Sequence, residues 1–297
     1  AEYFRQDWST YVRFQQRFGN ATDSSNSLIR NAFYTIQMDF TRNTGFNRDA
    51  RHKENFFNYG HIGTFKTTYR PLYTLGSDTI TDPDDPNFGK VMDAYTQAVW
   101  QSVKVDYTPS DNNPILANYT SNFFNFVETN SIFNNARSLE DIRAGGGLLN
   151  GDQPSSVYGL WGNVGVNQSG YSKFLNDQFR ITASSTFDIG DHALIVGVEY
   201  EQRFDRSYGL GAAGLWTLMR LLQNDAIREL DLNNPRASYS DNGTVFQDTL
   251  SYDRLFDADK PRTFDRNLRE ALELNPDSLD WLDIDSYDPS TFSLDMF

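Results

Sequence analysis

The sequence predicts an all-β fold in which long antiparallel strands form part of a large transmembrane β-barrel, joined by long extracellular loops that contain short helices. Three observations predict it. Strand-like segments alternate apolar and polar residues over about ten positions, the length a tilted strand needs to cross a hydrocarbon core. A low mean hydropathy of −0.60 coexists with 15% aromatic residues, so the apolar side chains are dispersed among polar ones. No stretch approaches the roughly 20 apolar residues of a membrane-crossing helix. That excludes a helical membrane protein but not a barrel, whose strands alternate.

The 297 residues allow one or two ordinary domains. The aromatic content argues against disorder. A net charge of −14, with Lys and Arg dispersed, argues against nucleic acid as a partner, because phosphate binding needs clustered cations. The absence of Cys removes disulfides, thiolate nucleophiles and Cys-based metal sites, as suits an exported bacterial protein. The chain opens at Ala1 without an initiator Met or a signal peptide, as expected of a mature form or of a piece of something longer.

In order along the chain, the first strand is expected at about 8–18, with Trp8, Thr10, Val12, Phe14 and Phe18 facing one way and Tyr11, Arg13, Gln15 and Arg17 the other. The second, at about 31–42, sets Ala32, Tyr34, Ile36, Met38 and Phe40 against Asn31, Thr35, Gln37, Asp39 and Thr41. A third, at about 57–70, alternates less cleanly and is interrupted by Gly60 and Gly63. Residues 71–170, rich in Asp, Asn, Pro and Gly, read as one large extracellular loop, with helical pieces near Phe88–Gln101 and Ile132–Ala144 and a short strand near Ser102–Tyr107. A hairpin follows, at about 172–189 and 192–206, turning at Gly190-Asp191, where Gly supplies a positive φ. Residues 207–297 form a second large loop, with helices expected over Gly214–Leu230 and Arg266–Leu274. In an up-and-down barrel successive connections alternate sides. That puts Gly19–Arg30, Pro71–Gly170 and the segment after Ser207 on one side, and Asn43–Asn55 and Gly190–Asp191 on the other.

Alternating strands also build soluble sandwiches. Strand length favours lipid, and so do polar faces dense in Arg and carboxylates with almost no Lys, as at Arg13, Arg17, Arg180, Glu199, Glu201 and Arg203. Such groups suit lateral pairing in a confined interior, so Arg180, Glu199, Glu201 and Arg203 are expected to face the lumen. Trp8, Phe18, Phe40, Tyr200 and Phe204 suit an interfacial girdle.

The strings FFNYGHIGTF, DNNP, GDQPSSVYGLWGNVG, VGVEYEQR, GLWTLMRLL and DPSTFSLDMF resemble the barrel region of TonB-dependent outer-membrane receptors, of the Oar-like Bacteroidetes type, over almost the whole chain. The resemblance implies a barrel of about 22 strands in the outer membrane of a Gram-negative bacterium. It implies ligand uptake powered by a TonB complex through a plug, with outer-membrane lipid and a surface lipoprotein as further partners. This chain carries neither plug nor TonB box, and its few strands cannot close such a barrel, whose open edges lipid would not tolerate. It is therefore expected to be a segment of a receptor. A non-transporting surface or adhesion protein and a secreted carbohydrate-binding sheet domain are the alternatives.

No catalytic site is expected. His52, His61 and His192 are scattered, with no HExxH. Gly145-Gly146-Gly147 lacks the Lys of a phosphate loop. Glu199 and Glu201 have a glycosidase-like pairing, but their neighbours make ion pairing the plainer reading. No cofactor is expected beyond a structural Ca²⁺, for which Asp283, Asp285 and Asp288 supply hard oxygens on a loop; Asp78, Asp82, Asp84 and Asp85 form a second acidic stretch. Tyr158, Trp161, Trp216 and Trp281 are the loop aromatics expected to hold a ligand.

Overall fold

A computed structural model describes residues 1–18, 29–129, 136–155, 168–238 and 249–297. Six long strands follow one another: β1 (Glu2–Arg17), β2 (Ile29–Arg48), β3 (Gly63–Thr79), β4 (Val91–Pro109), β5 (Tyr171–Ile189) and β6 (His192–Leu210). Two short ones, β7 (Arg236–Ser238) and β8 (Thr249–Ser251), come later. The α-helices are α1 (Pro114–Thr129), α2 (Leu139–Ala144), α3 (Leu215–Leu222) and α4 (Thr263–Ala271). The chain divides into two compact units, one of Ala1–Glu54 and Gly170–Gly211, the other of Asn55–Ser169 and Ala212–Phe297.

The first unit is a single antiparallel sheet in the order β1-β2-β5-β6. Apart from one irregularity between Arg30 and Phe33 of β2, alternation sets the register: Phe14 lies opposite Ile36, Ile36 opposite Ala183, and Ala183 opposite Val198. A slip by one residue would exchange the two faces. At the hairpin Ile189 pairs with His192, and Gly190 takes φ +58°, the left-handed value that a tight primed turn requires of its first central residue. Among the described residues, Tyr171 is the one buried apolar residue of this unit. Among the described residues it is a one-layer sheet without a core, and its outer strands β1 and β6 leave their backbone edges unpaired. No closed barrel is formed there.

The expected third barrel strand is not in this sheet. Phe56–Asn58 is a 3-10 turn, and the strand begins at Gly63 and pairs in a separate sheet of the second unit, ordered β3-β4-β8-β7. The alternation of sides is corrected accordingly. β2 runs antiparallel directly to β5, so the chain leaves the sheet after Arg48 and re-enters at Tyr171 at the same end. Gly190-Asp191 lies at the opposite end, where β1 finishes and β2 starts. Both large insertions therefore depart from one end, as expected, while the 19–30 connection shares the end of the tight turn. Residues 43–55 are no barrel turn but the end of β2 and the exit from the sheet.

The helix expected over Phe88–Gln101 is instead β4. Its alternation is reset twice. Leu72 and Tyr73 pair with Val99 and Gln97, leaving Ala98 extra, and Thr68 and Tyr69 pair with Lys104 and Ser102, leaving Val103 extra. Each bulge flips the phase of the faces, so no single period-two pattern runs the length of β4. Pro71, which has no N–H to donate, sits on the edge strand β3 between these two shifts.

The second unit has the cores. Ile62, Phe65, Val105, Leu116, Ile142 and Leu149 form one, with Phe123 and Phe124 of α1 against it. Ile80, Ala94, Leu250 and Tyr252 form another, where β8 joins β4. α1 is a helix not expected from the sequence. α2 occupies the end of the 132–144 piece and opens on a capping box, Ser138 accepting from the Asp141 N–H and Asp141 from the Ser138 N–H. α3 ends at Leu222, earlier than expected, because Asn224 adopts φ +54° and starts a separate 3-10 turn. α4 begins at Thr263 and ends at Ala271.

Two buried asparagines tie loops to this unit. Asn150 accepts from the Ile62 and Gly63 N–H groups at 2.8 and 3.3 Å and donates to the Gly63 carbonyl and to Asp285 Oδ1, both at 2.9 Å. The loops meet closely there: Gly151 (φ +87°) donates to the Gly60 carbonyl, and a Cβ on Gly151 would lie 2.5 Å from the Ala213 carbonyl oxygen. Asn224 accepts from the Leu282 N–H and donates to its carbonyl. Asn150→Ala leaves several buried polar groups unpaired, and is expected to cost about 2–4 kcal/mol. In thermal unfolding of the full chain this appears as a Tm lower by several degrees, and an unchanged Tm would refute the latch.

Candidate functional site

Two features have functional chemistry: the two faces of the first sheet, and a cleft in the second unit. On the polar face, Arg13 donates twice to Gln37 Oε1 at 2.8 and 2.6 Å, Gln37 donates to Asp39 at 2.9 and 3.1 Å, and Arg180 meets Asp39 at 3.4 Å. This ladder crosses three strands. Arg180 lies directly opposite Glu201, whose carboxylate pairs with Arg203 at 3.3 Å, and Glu199 lies opposite Thr182. All four polar-face residues singled out in the sequence thus share one face, and two of them pair with each other.

The other face is apolar and uncovered. Val12, Phe14, Met38, Val196, Val198 and Tyr200 are exposed on it, Val198 by 68%. Trp8 and Phe40 meet with ring centroids 5.2 Å apart, Phe14 and Tyr34 at 6.0 Å. Toward the end from which the chain departs the face becomes charged. Arg42 binds Asp177 through two hydrogen bonds of 2.6 and 2.9 Å, and Arg48 donates to Glu2 at 2.9 Å.

In the second unit, β3, β4, residues 228–232, Arg254 and Trp281 enclose a cleft of about 500 Å³. Arg254 is its centre. The guanidinium lies 4.3 Å from the Trp281 ring centroid and 5.4 Å from that of Trp100, and donates to the Ile227 carbonyl at 3.3 Å. Arg254 is held there by an isolated backbone bridge to Leu230. Tyr69 contacts Trp281 edge-on. Burial pushes the Arg254 pKa down and that of Tyr69 up, the Tyr69 phenol being raised further by the nearby Asp283 carboxylate.

Of the four aromatics expected to hold a ligand, Trp281 lines this cleft. Trp216 does not serve as expected. It is fully buried, donates to the Phe57 carbonyl at 3.1 Å and packs on His61 and Phe292, so it offers no surface to a ligand. Tyr158 and Trp161 lie outside the described residues. Sequence reasoning misses Arg254, because one Arg among acidic residues reads as a solvated charge.

The acids expected to bind Ca²⁺ are used separately. Asp285 is buried and held by Arg220 at 2.6 and 2.7 Å, Asp283 accepts from the Thr67 N–H at 2.9 Å, and Asp288 caps Ser290. The Arg220 guanidinium on Asp285 offsets the charge that a cation would need from that carboxylate. Asp78 accepts from the Tyr252 hydroxyl at 2.7 Å, while Asp82 and Asp85 accept from backbone N–H groups of their own turn. No group of three or more His, Cys, Asp or Glu is placed to hold a metal among the described residues.

No protein-family model matches this sequence, and no curated protein matches it.

Burial raises the Asp283 carboxyl to about 6, more than the Thr67 N–H lowers it, and Asp285 adds repulsion. The folded value exceeds the ordinary 3.8, so the unfolded chain loses this proton first as pH rises. Stability is therefore expected to fall between about pH 4 and 6, by on the order of 2–3 kcal/mol, and to stay lower above. Asp283→Asn removes this fall and makes the chain more stable than its parent at pH 7. Parallel stability–pH curves for the two proteins would refute the assignment.

Proposed function

We propose that the first unit is a four-stranded segment of an outer-membrane β-barrel, belonging to a TonB-dependent receptor that imports a ligand too large for porins. The single observation that carries the reading is a coreless sheet of strands 16 to 20 residues long with one uncovered apolar face. Ten residue steps separate Ile189 from Phe179, roughly 33 Å along a strand at ~3.3 Å each. At a tilt of ~35–45° this gives about 23–27 Å of height, against an apolar band of about 25 Å in outer-membrane barrels.

In this reading the apolar face meets lipid and the ladder from Arg13 to Arg180 looks into the lumen. The charged rows Arg42–Asp177 and Glu2–Arg48 lie above the band, toward the outside, and the insertions that leave from that end are extracellular. Gly190-Asp191 is a periplasmic turn. The open edges of β1 and β6 pair with further barrel strands, since lipid tolerates no unpaired edge. The second unit captures the ligand, and a plug and TonB complex beyond this chain drive its entry. The family assignment rests on the sequence resemblance; the lipid contact rests on the sheet.

In the full receptor, the protein should sediment with outer membranes, need detergent for extraction, and show heat-modifiable gel mobility. Val198→Arg puts a charge in the middle of the apolar face and is expected to cost about 2–4 kcal/mol of barrel stability. The adjacent Glu199→Arg, on the polar face, is expected to leave the folded band intact. Equal tolerance of the two changes, or a monodisperse protein in water without detergent, would contradict the proposal.

A further inference from the structure

We propose that the cleft around Arg254 is a binding site for a small molecule carrying a single carboxylate on an apolar or aromatic body. Arg254 is a half-buried cation with no carboxylate at ion-pair distance among the described residues: the adjacent Asp253 is paired with Arg236. One of its N–H groups goes to the Ile227 carbonyl, and the guanidinium carbon lies within 5.4 Å of the Trp100 ring centroid and 4.3 Å of that of Trp281. A planar fork in contact with two tryptophan rings is pre-organised for an oxyanion, and burial of an uncompensated charge, which already lowers its pKa, makes an anionic ligand favourable.

The remaining lining defines the rest of the ligand. Val99, Leu230 and Leu232 offer apolar surface beside the tryptophans, and the volume of about 500 Å³ falls within the ~300–1,000 Å³ usual for small-molecule sites. The charge is limited to one. The second cation in the lining, Arg228, is already engaged by the Leu221 carbonyl at 2.9 Å and by Asp225 at 3.6 Å, and Glu229 adds a negative charge at the site. A dianionic phosphate would meet one free guanidinium and a like charge, whereas a monocarboxylate is matched.

The inference goes beyond the membrane proposal and does not depend on it, since every group named belongs to the second unit. The test is calorimetric titration of the full chain with N-acetyl-L-phenylalanine and with N-acetyl-L-phenylalaninamide, which has the same body and no charge. The acid is expected to bind at least ~10-fold more tightly. Arg254→Gln should abolish that preference, and Arg254→Lys should keep part of it. The acid should quench tryptophan fluorescence, and Trp281→Phe should reduce that quenching, with Trp100 left beside the site. Equal affinity for acid and amide in the unaltered protein, no binding of either at millimolar concentration, or a preference that survives in Arg254→Gln would each overturn the proposal. The first two outcomes need no variant, so a poorly folding Arg254→Gln leaves the test decisive.

Discussion

The constraint on which the first unit depends is that a one-layer sheet cannot leave an apolar face in water. Burying a Val, Leu, Phe or Met side chain is worth about 1.5–3 kcal/mol. Val12, Phe14, Met38, Leu194, Val196, Val198, Tyr200 and Phe204 are each about half exposed, so together they forgo on the order of 6–12 kcal/mol. That rivals the entire stability of a typical domain, about 5–15 kcal/mol. Neighbouring strands on one face cannot supply it, because cross-strand pairs add only about 0.2–1 kcal/mol each. The missing term has to come from whatever covers the face, and the backbone edges of β1 and β6 need partners for the same reason.

The second unit solves the same problem internally. Two apolar cores lie against its sheet, and the irregular loops over them are fixed by polar contacts that few residue types can make. Asn150 accepts two hydrogen bonds and donates two, and a hydroxyl, with one proton, can donate only one. Asn224 combines an amide with a left-handed backbone, which Asn tolerates better than other non-Gly residues. Asp285 links these loops to α3 through Arg220, so the acidic C-terminal region is partly interior. Breaking one member of such a network strands the others.

The hairpin β5–β6 and the strands β1 and β2 are legible because unbroken alternation over many residues specifies both strand and face. Their ends are not: expected at about 8–18 and 31–42, they extend to Glu2–Arg17 and Ile29–Arg48, because the charged rows lack the apolar half of the pattern. Period two also says nothing about which sheet a strand joins, and so it places β3 with the wrong partners. β4 is hidden by two bulges. α1 follows Asn112-Asn113-Pro114, a start signal with Pro at the first helical position, but its Asn, Thr and Phe residues weaken the helical preference. Aromatic content points to Trp281 and Trp216 alike. Burial separates them, and burial is set by tertiary packing that no local pattern encodes.

The claim that the uncovered face lies in lipid is tested most directly by solvent access along adjacent positions. The chain has no Cys, so each introduced cysteine is the sole thiol within it, and the receptor without the introduced cysteine sets the background. In outer membranes holding the full receptor, a membrane-impermeant thiol reagent applied after osmotic opening should label Arg180→Cys and Glu199→Cys. It should leave Ile181→Cys and Val198→Cys unlabelled until the lipid is dissolved by detergent. Equal labelling of all four in intact membrane would contradict the account.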